Sequence, residues 1–206
     1  MGLLAYATEY NPEDEPLLAA RANAAALGGT EPVPPAVGAT LRFLACAVGA
    51  RTVVEIGTGC GTSGIWLLRG MRPGGTLTSV DTEPEYHRMA RKAFAQAGFA
   101  QNQGRLILGR ALEVLPRLSD GAYDMVFCDA DARDYPDYLT AALRLLRPGG
   151  VVAFNNVLMA GNPAEVSVPD VARQVRDDDR LVPVLLPLGD GLLAAVRKLE
   201  RGDKGE

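Results

Sequence analysis

The sequence predicts an α/β fold, a mostly parallel sheet with helices on both faces. Three observations predict it. From residue 52 onward, short β-branched runs alternate with segments of helical period. The first run passes through Gly57, Gly59 and Gly61 into a helix, and the second ends at Asp81. Near the C-terminus the pattern changes to two apolar runs around Gly189-Asp190-Gly191, which reads as an antiparallel hairpin.

The elements follow in order. Residues 13–27 and 36–48 have helical period, are separated by the breaker-rich stretch 28–35, and read as an N-terminal cover. Strands are expected at Thr52–Ile56, 76–80, 105–108, 124–128 and 151–154. The clearest helix begins at Pro84 and ends before Gly98, with Tyr86, Met89, Ala90, Ala93, Phe94 and Ala97 as its apolar stripe. His87, the single histidine, falls off that stripe and is expected in solvent. Further helices are expected at 62–71, at 135–146 before the turn Pro148-Gly149-Gly150, and at 169–176. The charged run 176–180 reads as a solvated turn, and the hairpin strands as 181–188 and 192–196.

At 206 residues, against about 150 per domain, the chain is one domain with a short extension. We divide it into a helical cover, 1–34, a main domain, 35–198, and a charged, frayed tail, 199–206. The net charge of −4 offers no basic field for a phosphate backbone, so nucleic acid is not the expected partner. Cys46, Cys60 and Cys128 are odd in number and widely spaced, which suggests neither disulfides nor a zinc cluster and fits a reducing cytoplasm. No uncharged apolar run approaches the roughly 20 residues of a membrane span, and the first 15 residues lack the pattern of a signal peptide. A soluble, cytoplasmic protein is expected.

Glycines between a strand and a helix let a ligand touch the backbone at the place where open α/β sheets bind nucleoside-containing molecules. Asp81, 24 residues after Gly57, stands where a carboxylate accepts hydrogen bonds from ribose hydroxyls. The spacing is Gly-x-Gly-x-Gly, not the dinucleotide Gly-x-Gly-x-x-Gly, and Glu55 sits at the base of the loop. A carboxylate there repels a pyrophosphate and suits a ligand carrying an ammonium and a sulfonium, which is S-adenosylmethionine. The structural alternative is a tight turn with an Asp81 that only caps the next helix. The conjunction of both features in one unit favours the ligand.

These residues, with Phe127-Cys128-Asp129-Ala130-Asp131, Tyr135, the run 145–150 and Asn155-Asn156, resemble the catechol and caffeoyl-coenzyme A O-methyltransferases, especially their small actinobacterial members. The resemblance spans about residues 32–198. It implies a Rossmann-like class I methyltransferase fold, a seven-stranded sheet whose last strand is antiparallel, and a possible homodimer. It also implies cofactor contacts from Val33, Glu55, Gly57, Thr58, Gly59, Ser63, Asp81, Ala111 and Asp131. Val33 reads equally as an ordinary apolar residue before a proline turn.

Metal-dependent members hold a divalent ion on positions that here are Asp129, Asn155 and Asn156, and Asp129 is the catalytic candidate. One carboxylate has become an amide, which holds Mg²⁺ less strongly, so a metal is uncertain. The family's Asp-Ala-Asp-Lys reads Asp129-Ala130-Asp131-Ala132, and the neighbouring Arg133 cannot take a proton. The leading expectation is methyl transfer to a hydroxyl of a small, aromatic acceptor seated between the cover and the loop 157–168. The alternatives are a catalytically silent S-adenosylmethionine-binding protein, motivated by Ala132 and Asn155, and transfer to a non-oxygen acceptor. A nicotinamide-dependent oxidoreductase is disfavoured by Glu55, the glycine spacing and the hairpin.

Overall fold

The structure is a computed structural model that describes residues 6, 10–29, 31–158 and 167–199. Seven strands form one sheet in the order β3-β2-β1-β4-β5-β7-β6. They are β1 (Thr52–Ile56), β2 (Thr76–Asp81), β3 (Gly104–Leu108), β4 (Tyr123–Cys128), β5 (Leu146–Phe154), β6 (Leu181–Leu186) and β7 (Leu192–Arg197). Neighbours among β1 to β5 run parallel, and β7 is antiparallel to both β5 and β6, as expected from the hairpin.

The helices are α1 (Glu15–Leu27), α2 (Pro35–Ala47), α3 (Thr62–Gly70), α4 (Pro84–Gln96), α5 (Ala111–Val114), α6 (Tyr135–Leu145) and α7 (Ser167–Asp177). Successive strand residues point to opposite faces, and each face has its own core. Val53, Met125, Phe127, Val151 and Ala153 pack with Leu17, Val37, Leu41, Ile65 and Phe94 from α1 to α4. Val54, Ile56, Val126, Val152 and Phe154 pack with Leu139, Ala142, Val171 and Val175 from α6 and α7. Strands buried on both faces read as continuous apolar runs, which is why they are conspicuous in the sequence.

Asp124 pins the lower end of the sheet. Its Oδ2 accepts the N–H groups of Arg51 (2.7 Å) and Thr52 (2.9 Å), and its Oδ1 accepts from Arg147 Nε (2.6 Å), so one carboxylate joins β1, β4 and β5. Burial alone would raise this carboxyl, but the two amides and the guanidinium together hold it below the usual range.

Two expectations are corrected. The Pro148-Gly149-Gly150 segment is not a free turn: β5 already begins at Leu146, and the extra residues are absorbed by a register shift against Tyr123 and Met125, with Gly149 at φ +78°. His87 is buried, because the inward face of α4 is His87, Ala90, Ala93 and Phe94, rotated from the expected stripe. Burial lowers the His87 imidazole, Asp81 raises it less, and Arg91 also lowers it.

Close contact between α2 and α3 depends on two residues without side chains. A Cβ on Gly38 would lie 2.3 Å from Cδ1 and Nε1 of Trp66, and one on Gly70 would lie 2.3 Å from the Arg42 carbonyl oxygen. We predict that Gly38→Ala destabilises the protein by about 1–3 kcal/mol through overpacking. Thermal denaturation should show a lowered midpoint, and an unchanged one would refute this packing.

Candidate active site

Strand β1 is central, with β2 on one side and β4 on the other, so the connections leaving their carboxyl ends diverge and open a crevice. Gly57, Asp81 and Asp129 stand at these three ends. The backbone there is stitched together: Gly57 N–H donates to the Val80 carbonyl (2.9 Å) and Asp129 N–H to that of Ile56 (2.8 Å). Gly57 has φ +93°, and a Cβ on it would lie 2.0 Å from the Asp129 carbonyl oxygen. Only glycine satisfies both conditions.

Asp81 and Glu55 organise the loop from opposite sides. Asp81 Oδ2 accepts the N–H groups of Thr58 (2.9 Å) and Gly59 (3.0 Å), and its Oδ1 accepts that of Glu83 (3.1 Å). Below the loop, Ser79 Oγ donates to Glu55 Oε2 (2.6 Å) and lies 2.7 Å from Thr58 Oγ1. Ser79 can do this because β2 registers it opposite Glu55. Glu55 is fully buried and its Oε1 has no partner. Burial pushes its carboxyl up to about 7; the Ser79 and nearby Ser63 hydroxyls oppose the rise, and the charges of Asp129 and Asp81 add to it.

Two adjoining cavities occupy the crevice. The first is lined by Val33, Gly57, Thr58, Gly59 and Ser63 among the expected residues, and by Glu31, Pro32, Cys60 and Thr62, which had not been assigned a contact. The second, of about 240 Å³, is lined by Ala111, Ala130 and Tyr138. Gly57, Asp81, Tyr86 and Asp129 line both. Tyr86 was read as a core residue; it lies half-buried in the crevice, where a Cβ on Gly29 would come 2.0 Å from its hydroxyl. The cover segment is itself anchored: Arg21 pairs with Glu13 through Nε (2.6 Å) and Nη2 (2.8 Å) and donates to the carbonyls of Pro32 (3.2 Å) and Val33 (2.5 Å). Residues 159–166 of the expected acceptor loop lie outside the described residues.

At the end of β4, Asn155 Nδ2 donates to Asp129 Oδ1 (3.0 Å), while Asp129 Oδ2 has no partner among the described residues. Burial raises the Asp129 carboxyl to about 6, with the Asn155 amide opposing. Tyr135 OH donates to the Asn155 carbonyl (2.9 Å), and Asn156 follows in the left-handed region at φ 56°. Asp131 does not line either cavity: it caps the short 3-10 turn Ala132–Asp134 and is ion-paired with Arg133, which holds its carboxyl below the usual range.

The donor set at Asp129 does not suit a hard dication. One carboxylate oxygen is taken by an amide donor, and Asn155 and Asn156 bring no charge. Among the described residues no group of three or more His, Cys, Asp or Glu could hold a metal ion. The first cavity fits an adenosyl amino acid better: it offers a loop of glycines and a carboxylate at the end of β2, and beneath that loop lies the buried Glu55 with its unpartnered oxygen.

The O-methyltransferase family model matches residues 13–199. A protein of Mycobacterium avium (strain 104) named as an O-methyltransferase is 50% identical over 203 residues, covering 95% of this chain and 91% of its own. The O-methyltransferase TomG from Streptomyces achromogenes, involved in tomaymycin synthesis and solved with S-adenosylmethionine, is 30% identical with a TM-score of 0.85, covering 95% of each chain. An O-methyltransferase from Bacillus cereus, solved with S-adenosylhomocysteine, is 28% identical with a TM-score of 0.84, covering 95% of this chain and 96% of its own.

The buried Glu55 makes stability depend on pH. Its folded value of about 7 lies above the ordinary 4.5, so the folded state keeps a proton that the unfolded chain releases between these values. Stability therefore falls as pH rises through that window, by up to about 3 kcal/mol from this group. Asp129 acts in the same direction between 3.8 and about 6. Urea unfolding of the ligand-free protein at pH 5 and pH 8 should show the fall, and Glu55→Gln should flatten it. An identical pH dependence in the variant would exclude Glu55 as its source.

Proposed function

We propose that the methyl acceptor is a hydroxyl of a small aromatic molecule; the chain belongs to the O-methyltransferase family, and it is an S-adenosylmethionine-dependent O-methyltransferase. The observation that carries the reading is Asp129. Its Oδ2 is unpartnered among the described residues, and the residue lines both cavities beside the glycine loop. A hydroxyl donated to that oxygen is oriented for attack. Phenols suit this site because they release a proton more readily than alcohols, and Ala132 leaves the chain without the lysine base of its metal-dependent relatives.

The bound cofactor supplies an electrophilic methyl group on a sulfonium. The residues have the task of holding the acceptor oxygen in line with it, which alone removes several kcal/mol from the barrier. Asp81 would hold the ribose hydroxyls once its carboxylate is shared with the loop amides. Glu55 would face the cationic end, Ser63, Ala111 and Val33 would close the walls, and Asn155 would keep Asp129 in place. Asp131 would join only if its pair with Arg133 opened. The reading needs no metal at Asp129, Asn155 and Asn156. The free thiols of Cys46, Cys60 and Cys128 support a reducing, cytoplasmic setting, and no helix among the described residues is long and apolar enough to cross a membrane. A homodimer is supported by the exposed Val182, Val184 and Leu185 of the edge strand β6.

In isothermal titration, Asp81→Ala should weaken S-adenosylhomocysteine binding by about 10- to 100-fold, the worth of hydrogen bonds to a charged acceptor; unchanged affinity would remove Asp81 from the ribose. With an acceptor found in a phenol screen, Asp129→Asn should lower kcat on the order of 100-fold, and chelation by EDTA should reduce turnover only modestly. Complete loss on chelation, restored by Mg²⁺, would overturn the metal-free reading; binding without turnover on any acceptor would favour a silent cofactor-binding protein.

A further inference from the structure

A further cavity, of about 230 Å³, lies away from the crevice and shares no lining residue with either part of it. It sits at the amino end of β3, where α4 has ended and the chain turns through residues 97–103, whereas the crevice opens at the carboxyl ends of the strands. Its walls are preformed. The Phe94 ring is held between two glycines, since a Cβ on Gly64 would lie 2.6 Å from its Cζ and one on Gly104 2.5 Å from its Cδ2. Phe99 N–H donates to the Phe94 carbonyl (2.9 Å), Ala100 N–H to Gln103 Oε1 (2.9 Å), and Leu77 N–H of β2 to the Gln103 carbonyl (2.8 Å). Phe94, Ala95, Phe99 and Ala100 give the cavity an apolar lining, to which Arg91 and Gln101 add the polar side chains.

Arg91 is exposed on α4 and forms no hydrogen bond or ion pair among the described residues, whereas Arg88, one turn earlier, is paired with Glu85. Among the described residues it is the one charged group in the lining. A guanidinium presents a fork of N–H donors that matches a carboxylate, and aromatic rings pack well against another flat ring. An apolar cavity of about 150 Å³ is enough for benzene, so this one has room for a ring that carries a carboxylate. A single cation suits a single negative charge. Phosphate, with more charge and no apolar body, would leave both phenylalanines uncovered. We propose that this cavity binds a small aromatic monocarboxylate, its ring against Phe94 and Phe99 and its carboxylate on Arg91. The proposal is independent of the reading of the crevice.

The probes are benzoate and its neutral counterpart benzamide, each titrated into the protein and followed by backbone amide shifts in nitrogen–proton NMR spectra. Benzoate should move the amides of residues 91–104 and leave those of Gly57, Thr58 and Asp129 in place. Arg91→Gln should weaken benzoate by about 10-fold and benzamide not at all, because only the charged probe loses its partner. Ala95→Leu keeps a good helix former and fills the cavity, so it should abolish the response to both. Both substitutions are at exposed positions, and outside 91–104 their spectra should overlay that of the natural protein. A benzoate response centred on the crevice, equal weakening of both probes by glutamine, an undiminished response in Ala95→Leu, or no response from the natural protein would overturn the proposal.

Discussion

The contact between Gly57 and the carbonyl of Asp129, where a Cβ would stand 2.0 Å from the oxygen, sets the geometry from which the site of this O-methyltransferase follows. It places the end of β1 directly against the end of β4, and the bond from Gly57 N–H to Val80 ties the same point to β2. Three strand ends therefore lie at one level. Glu55, Asp81 and Asp129 are brought together around a single crevice only because they sit at or beside those ends. A side chain at position 57 would force β1 and β4 apart and dissolve this convergence before it altered any ligand contact.

The crevice is acidic, and its acids are treated differently. Asp81 is satisfied by three backbone amides. Glu55 is buried and Asp129 half-buried, with no cation bonded to either, and the loss of water around them raises both, to about 7 and about 6. A cationic ligand would relieve that cost by favouring their charged forms, so binding and ionisation are coupled. Hydroxyls and amides, not basic side chains, hold the two groups: Ser79 on Glu55 and Asn155 on Asp129. A guanidinium in their place would have lowered both carboxyls and competed with the sulfonium. The acids stay responsive to a positive charge because no such group is bonded to them.

The cover is part of the site. Arg21 carries a bidentate pair to Glu13 and two bonds to the carbonyls of Pro32 and Val33, so the segment that brings Glu31 to the crevice hangs from α1. Tyr86, from the first turn of α4, meets this segment at Gly29. No periodicity joins residues so far apart in the chain. Reading Glu31 and Tyr86 as crevice residues required knowing that α1 packs against α4.

The alternation of buried strands and helices, the glycine loop with its following acid, and the terminal hairpin were legible because each is a local consequence of backbone chemistry. Strands covered on both faces must be apolar throughout, positive φ calls for glycine, and a tight antiparallel return needs Gly189-Asp190-Gly191. The sequence by itself therefore determined the class of fold, the order of its elements and the place of the glycine loop. It did not determine the rotation of α4: stripes containing Tyr86 or His87 share Ala90, Ala93 and Phe94, and only packing chose the one that buries the histidine. Nor did it decide that the 148–150 segment joins β5, that Asp131 turns to Arg133, or that Thr62 ends with an unsatisfied hydroxyl. Those outcomes depend on which atoms from distant segments fill the remaining space, and that is a property of the tertiary structure alone.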